Sequence, residues 1–180
     1  MKKIYALSGS TFDHSINTHV LRYIQRHYSD KFNIELDDMQ NIPLFKEGAP
    51  EPDKIHHMAQ KIREADLVFF CTPEAQHSVP AGLKSALEWL SNAAHPFQDK
   101  RVAIISSSVM PQGGVRAQNR LKVILTAGGF QCHMFDAAEF MVECEQRTFD
   151  DDGNFKNPTK AKLLDNYMTQ LGKWLDLFNN

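Results

Sequence analysis

Short apolar runs alternate with longer stretches of helical spacing along the 180-residue chain. Lys3 to Ser8 is apolar and stops at Gly9, which predicts a first strand. Ile16 to Tyr28 places Ile16, Val20, Leu21 and Ile24 on one helical face. Phe32, Ile34 and Leu36 alternate with polar residues and predict a second strand. Residues 41 to 52 hold Pro43, Gly48, Pro50 and Pro52, the mark of an exposed loop. Pro52 to Glu64 reads as a helix with Ile55, Met58, Ala59 and Ile62 inward. Asp66 to Cys71 is apolar without alternation, as expected of a strand covered on both faces. Leu83 to Leu90 is helical, with Leu83, Leu87 and Leu90 toward the sheet and Trp89 a candidate subunit contact. Arg101 to Ser106 is a fourth strand. Val115 to Ala127 is a helix, and Gly128 and Gly129 suit its end. Gln131 to Phe135 is a fifth strand, residues 145 to 157 a polar loop, and Asn157 to Phe178 a last helix. No repeat or linker divides residues 1–180, so one domain is expected.

Strand–helix alternation of this kind calls for a parallel sheet with helices on both faces. Five such strands fit the order 2-1-3-4-5 of the flavodoxin-like class, a three-layer αβα sandwich. Ligands of that class bind beyond the carboxyl ends of the strands, at the switch point between strands one and three. Three loops should therefore build the site: Ser8 to Asn17, Thr72 to Pro80, and Ser106 to Gly114.

Charge and composition narrow the partners. The net charge of −2 and the lack of a basic stripe give nucleic-acid binding no electrostatic support. No apolar run approaches the roughly 20 residues of a membrane span. The opening MKKIYALSGST has too short an apolar run for a signal peptide and reads as strand. The three cysteines, Cys71, Cys132 and Cys144, are odd in number and irregularly spaced, which suggests reduced thiols and a cytoplasmic protein. The histidines lack metal-ligand spacing.

The three loops carry matching chemistry. In S-G-S-T-F-D-H-S-I-N, Gly9 lets amides turn toward a ligand, and Ser8, Ser10 and Ser15 offer hydroxyls. The helix that begins at Ile16 presents unpaired N–H groups and a positive dipole end, so the loop suits a phosphate; capping by Asp13 or Ser15 accounts for it equally well. Neither G-x-G-x-x-G nor a Walker A loop is present. In T-P-E-A-Q-H-S-V-P, Pro73 and Pro80 stiffen the backbone, and the N–H groups of Glu74 to Ser78 are expected to face one flat, hydrogen-bonding object. S-S-S-V-M-P-Q-G-G, running from Ser106 past Ser107 to Gly113, offers a similar edge opposite. A phosphate and a planar heterocycle between two such edges describe a flavin mononucleotide.

Residues 72 to 91, T-P-E-x-x-H-S-V-P-x-x-L-K-x-A-L-E-W-L-S, resemble the signature of the NADPH-dependent FMN reductase family. Gly9-Ser10 with Ser15 and Asn17 is similar to that family's phosphate loop. Gly113-Gly114-Val115-Arg116-Ala117-Gln118 with Leu121 and Leu125, and Glu139 to Met141, match further segments. The resemblance spans about residues 3 to 145. It implies non-covalent FMN, with hydride passing from NADPH to a small-molecule electron acceptor: a quinone, an azo dye, a metal oxyanion or free flavin. It also implies a homodimer or homotetramer. Carried over, Ser10, Ser15 and Asn17 hold the phosphate, beside Ser8 and Ile16. Pro73, Glu74, Ala75 and Gln76 line the ring, mainly by backbone, and Ser107 and Gly113 belong to the pyrimidine edge. No side chain is expected to act as catalytic acid or base, and Glu74 is an ion-pair candidate across a subunit interface.

The chain departs from the family pattern at Phe12, where an arginine is usual, and at Ala75 and Gln76, in place of an aromatic residue and an asparagine. A charge-assisted phosphate contact contributes roughly 1.5–3 kcal/mol, so weaker FMN binding is expected. Three rivals are an electron-carrier flavodoxin, which tends to be strongly acidic; a phosphoacceptor domain, which needs an aspartate where Cys71-Thr72 stand; and a degenerate flavodoxin-like binding protein with weak or no flavin binding.

Overall fold

A computed structural model describes residues 1–12, 14–92, 95–143 and 148–178. Asp13, Cys144 and residues 145–147 of the expected polar loop lie outside the described residues. The elements are β1 (Lys2–Ser8), α1 (Ile16–His27), β2 (Phe32–Asp38), α2 (Asp53–Glu64), β3 (Leu67–Thr72), α3 (Ala81–Asn92), β4 (Arg101–Ser107), α4 (Val115–Thr126), β5 (His133–Met134), β6 (Met141–Val142) and α5 (Pro158–Asp176). The sheet is parallel with order β2-β1-β3-β4-β5, and β6 also pairs with β4.

Alternation along the strands sorts the side chains into two layers. Ile4, Ala6, Leu67, Phe69, Cys71, Ala103 and Ile105 point to one face and pack with Val20, Leu21 and Ile24 of α1 and Leu164, Tyr167 and Leu171 of α5. Tyr5, Leu7, Val68, Phe70, Val102 and Ile104 point to the other, against Ile55 and Met58 of α2, Leu83 and Leu87 of α3, and Leu121 and Leu125 of α4. β3 is buried at every position, which is why its sequence does not alternate. β2 lies at an edge and keeps Asn33 and Glu35 exposed.

Three local expectations are corrected. The fifth strand is not Gln131 to Phe135: the ladder holds only at His133–Met134 against Arg101–Val102, and the chain then leaves. Lys122 draws Asp136 to 2.9 Å and Glu139 to 3.5 Å, and the chain returns as β6 against Ser106–Ser107. The fifth position is thus shared by two short segments. Gly128 and Gly129 do not end α4 in the left-handed conformation; that region is adopted by Gln131, at φ 54°. Trp89 is not a subunit contact. It is 3% exposed, and its indole N–H donates to the Pro43 carbonyl at 2.9 Å. The Ser85 hydroxyl donates to the same carbonyl and accepts the Phe45 N–H, so α3 pins the 41–52 loop.

Candidate flavin site

The carboxyl ends of β1, β3 and β4 lie side by side, since Ser8 is level with Cys71 and Thr72 with Ser106. The loops that leave them must therefore meet. Gly9 passes so close to β3 that its N–H reaches the Cys71 carbonyl at 2.8 Å. A Cβ there would stand 3.0 Å from both Leu83 Cδ2 and Thr72 Oγ1, which is why this turn has no side chain.

Asn17 fastens the three loops together. Its carboxamide oxygen accepts the Ser107 hydroxyl at 2.8 Å and the Cys71 thiol at 3.3 Å. Its amide nitrogen donates to Ser15 Oγ at 3.2 Å. Asn17, Cys71 and Ser107 are all buried. Ser15 is the N-cap of α1, and its hydroxyl oxygen also accepts the Asn17 backbone N–H. With two hydrogen bonds accepted, Ser15 has only its O–H left, as a donor toward the loop. Capping and ligand contact are thus compatible in one residue.

Ser15, Ile16 and Asn17 line a crevice of about 290 Å³ with Phe12 and His14, with Pro73 and Glu74, and with Ser107, Ser108 and Val109. That is about the lower end of small-molecule sites. Of the residues expected from the sequence, Ser8, Ser10, Ala75, Gln76 and Gly113 stay outside this lining. Ser8 is buried and its oxygen accepts the Thr18 hydroxyl. Ser10 Oγ accepts the Phe12 N–H at 3.1 Å. Gly113 is buried, with its carbonyl accepting from Ser106 Oγ at 2.6 Å. Phe12, His14, Ser108 and Val109, from two of the expected loops but not named as binding residues, join the lining. A larger cavity of about 530 Å³, between α1 and residues 149–153, lies away from the strand ends.

The 72–80 loop behaves differently from expectation. Ala75 and Ser78 hydrogen-bond to each other in both directions at 2.9 Å, which uses two of the N–H groups expected to face a ligand. Gln76 and His77 bridge them at φ 45° and 62°, a two-residue turn of the type that favours Asn-Gly. Non-glycine residues pay about 1–2 kcal/mol each in this conformation, and strain of this kind gathers at functional sites. Glu74 has a partner within its own chain: one oxygen meets Arg116 Nη1 at 3.1 Å and the other accepts the Arg116 N–H at 3.2 Å. A carboxylate so placed satisfies a donor in the first turn of α4.

The opposite wall is braced from behind. The Gln118 amide donates to Ser106 Oγ and to the Phe140 carbonyl. Gly114, at φ 87°, brings the chain so near that a Cβ would meet Ser106 Cβ at 2.9 Å. The Gly-Gly-x-Arg-x-Gln run thus shapes the walls of the site. Among the described residues no cluster of three or more His, Cys, Asp or Glu could hold a metal, and no helix is long and apolar enough to cross a membrane.

The donors fit a flavin. The open N-terminus of α1, the Ser15 hydroxyl and the uncommitted N–H of Ile16 suit its tail. Pro73 and Glu74, together with Ser107 to Val109, line space for its ring. The model of the NADPH-dependent FMN reductases matches residues 2–146. The chain is 33% identical over 162 residues to a subunit of the NADH:(hydroxy)cinnamate reductase of Vibrio ruber, covering 89% of this chain and 80% of that protein. It is 29% identical over 177 residues to an NAD(P)H-dependent FMN reductase of Pseudomonas aeruginosa, covering 96% and 95%. A flavoenzyme NAD(P)H:acceptor oxidoreductase from Paracoccus denitrificans superposes with a TM-score of 0.87 at 22% identity over 98% of both chains. From the match over most of its length and the crevice that those residues build, the chain belongs to the NADPH-dependent FMN reductase family.

Proposed function

We propose that the chain is a single-domain oxidoreductase that moves hydride from NADPH to a small-molecule acceptor, with FMN as its bound carrier. When bound, the flavin supplies reversible hydride acceptance, and the protein supplies position and electrostatics. In this reading Ser10, Ser15 and Ile16 donate to the tail. Asn17, itself part of the lining, sets the spacing of the walls. Pro73, Glu74, Gln76 and His77 present one edge through the backbone, and Ser107 to Val109 the other. Donors aimed at the ring's carbonyl edge stabilise negative charge there. Glu74 is engaged by Arg116, so no side chain is assigned a proton-transfer role.

The observation that carries the reading is the tie from Asn17 to Ser15, Cys71 and Ser107, which makes one crevice of three sequence-distant loops. The names of relatives support quinones and flavins as acceptors: a quinone reductase of Escherichia coli is 34% identical over 129 residues. A homodimer or homotetramer and a cytoplasmic setting complete the proposal; two buried thiols, Cys71 and Cys132, suit a reducing compartment.

The test is a spectrum of the purified protein with and without added FMN, followed by NADPH and NADH oxidation with a quinone. Flavin-dependent oxidation that prefers NADPH is expected. Absence of flavin binding at saturating FMN would leave a binding protein with this fold and no reductase. Light scattering after gel filtration reads the oligomer.

A further inference from the structure

We propose, resting on the reading above, that this site recognises the ring and sugar of a flavin and not the charge of its tail, so that it takes riboflavin almost as well as FMN.

The tail end of the crevice holds neutral donors. Ser15 has one O–H to give, because its oxygen already accepts from the Asn17 backbone and side chain. Neutral hydroxyl and amide donors of this kind serve a ribityl oxygen or a phosphate oxygen alike. Phe12, 66% exposed, occupies the outer lip. Its own N–H is taken by Ser10 Oγ, so the loop gives up a backbone donor that would otherwise face an anion.

No lysine or arginine lines the crevice among its described residues, and the sequence places an aspartate at position 13. The Arg116 guanidinium, next to lining residue Glu74, is held by its carboxylate at 3.1 Å. His14 is the one basic side chain in the lining, and it is exposed with its ring edge-on to Phe12 at 6.2 Å.

A phosphate monoester carries nearly two negative charges at neutral pH. A fixed cation would favour it over a hydroxyl by about ten- to a hundredfold. What remains here is the N-terminus of α1, whose partial charge contributes about two- to fivefold in water. The net charge of −2 adds no long-range attraction.

The experiment titrates the apo-protein with FMN and with riboflavin separately, following quenching of flavin fluorescence. The expected dissociation constants differ by less than tenfold, and that for FMN changes little between low and moderate salt. Phe12→Arg is then expected to tighten FMN about ten- to a hundredfold more than it changes riboflavin; the exposed position tolerates the longer side chain. An FMN preference of tenfold or more in the wild type overturns the proposal while leaving the flavoenzyme reading intact. So does a Phe12→Arg variant that tightens both flavins equally or neither. Failure of both flavins to bind removes the flavoenzyme reading itself.

Discussion

The Ser107 hydroxyl donates to the Asn17 carboxamide across 2.8 Å, joining residues 90 positions apart at the point where two strands end. Both side chains are buried. Asn17→Ala would remove the acceptor of the buried Ser107 hydroxyl and one partner of the Cys71 thiol, at a cost of about 1–3 kcal/mol. A melting temperature lower by roughly 2–10 °C is expected, with a loss of flavin affinity larger than that of Ser15→Ala. Ser107→Ala removes one hydrogen bond and should cost about 1 kcal/mol. Thermal melts of the three variants check the order.

The turn at Gln76-His77 stores strain that a better-suited pair would release. Converting it to Asn-Gly relieves about 1–2 kcal/mol at the glycine position, less the extra chain entropy that glycine loses on folding, about 0.5–1 kcal/mol, with a smaller gain at the asparagine. A net gain near 1 kcal/mol should appear in urea unfolding as a higher midpoint with unchanged slope.

Alkaline pH should destabilise the fold earlier than the carboxylates would suggest. Burial pushes the Cys132 thiol up to about 12 from its ordinary 9.0. Burial likewise raises Tyr167, and burial together with hydrogen bonds to Asp37 and Asp165 raises Tyr5 and Tyr28. These groups bind protons more tightly folded than unfolded, so their stabilising effect is complete below the unfolded values. It is lost as pH climbs from about 9 through the folded values, by up to about 1.4 kcal/mol per group per pH unit. Burial moves Lys100 the opposite way, and it offsets one such group. Stability measured by urea unfolding from pH 8 to 11 should decline, and Cys132→Ala should flatten the first part of the decline.

Gly9→Ala tests the closeness of the β1–α1 loop to β3. The new methyl meets the Thr72 backbone at 3.2 Å as well as two side chains, so the loop must shift by a few tenths of an ångström. Because the same loop leads to Ser15, flavin affinity should fall by about tenfold, as small misplacements at a site typically do. Isothermal titration beside a thermal melt separates this from a general loss of stability.

The strand bodies were legible because burial leaves a direct mark: β1, β3 and β4 are uninterrupted apolar runs, and their ends locate the three loops. The fifth position was not, because its break depends on Lys122 drawing Asp136 and Glu139 out of line, a contact between residues that no periodicity connects. The place of Asn17 was visible in the motif, but not its downward orientation, which needs Ser15, Cys71 and Ser107 present together. The same holds for the Ala75–Ser78 pair: proline spacing announced a stiff loop without saying that two of its donors were spent internally.

The divided fifth position also governs what a second molecule can add to this sheet. A long bare margin invites a neighbour's backbone to continue the ladder, the route to insoluble stacks. Here one margin offers two strips of two residues each, separated by a detour. The other, β2, runs out in Glu35, Asp37 and Asp38, with Lys54 and Lys61 clasping their carboxylates. One margin gives a stray strand only a brief foothold and the other a charged one, so crowded solutions of the folded chain should stay clear.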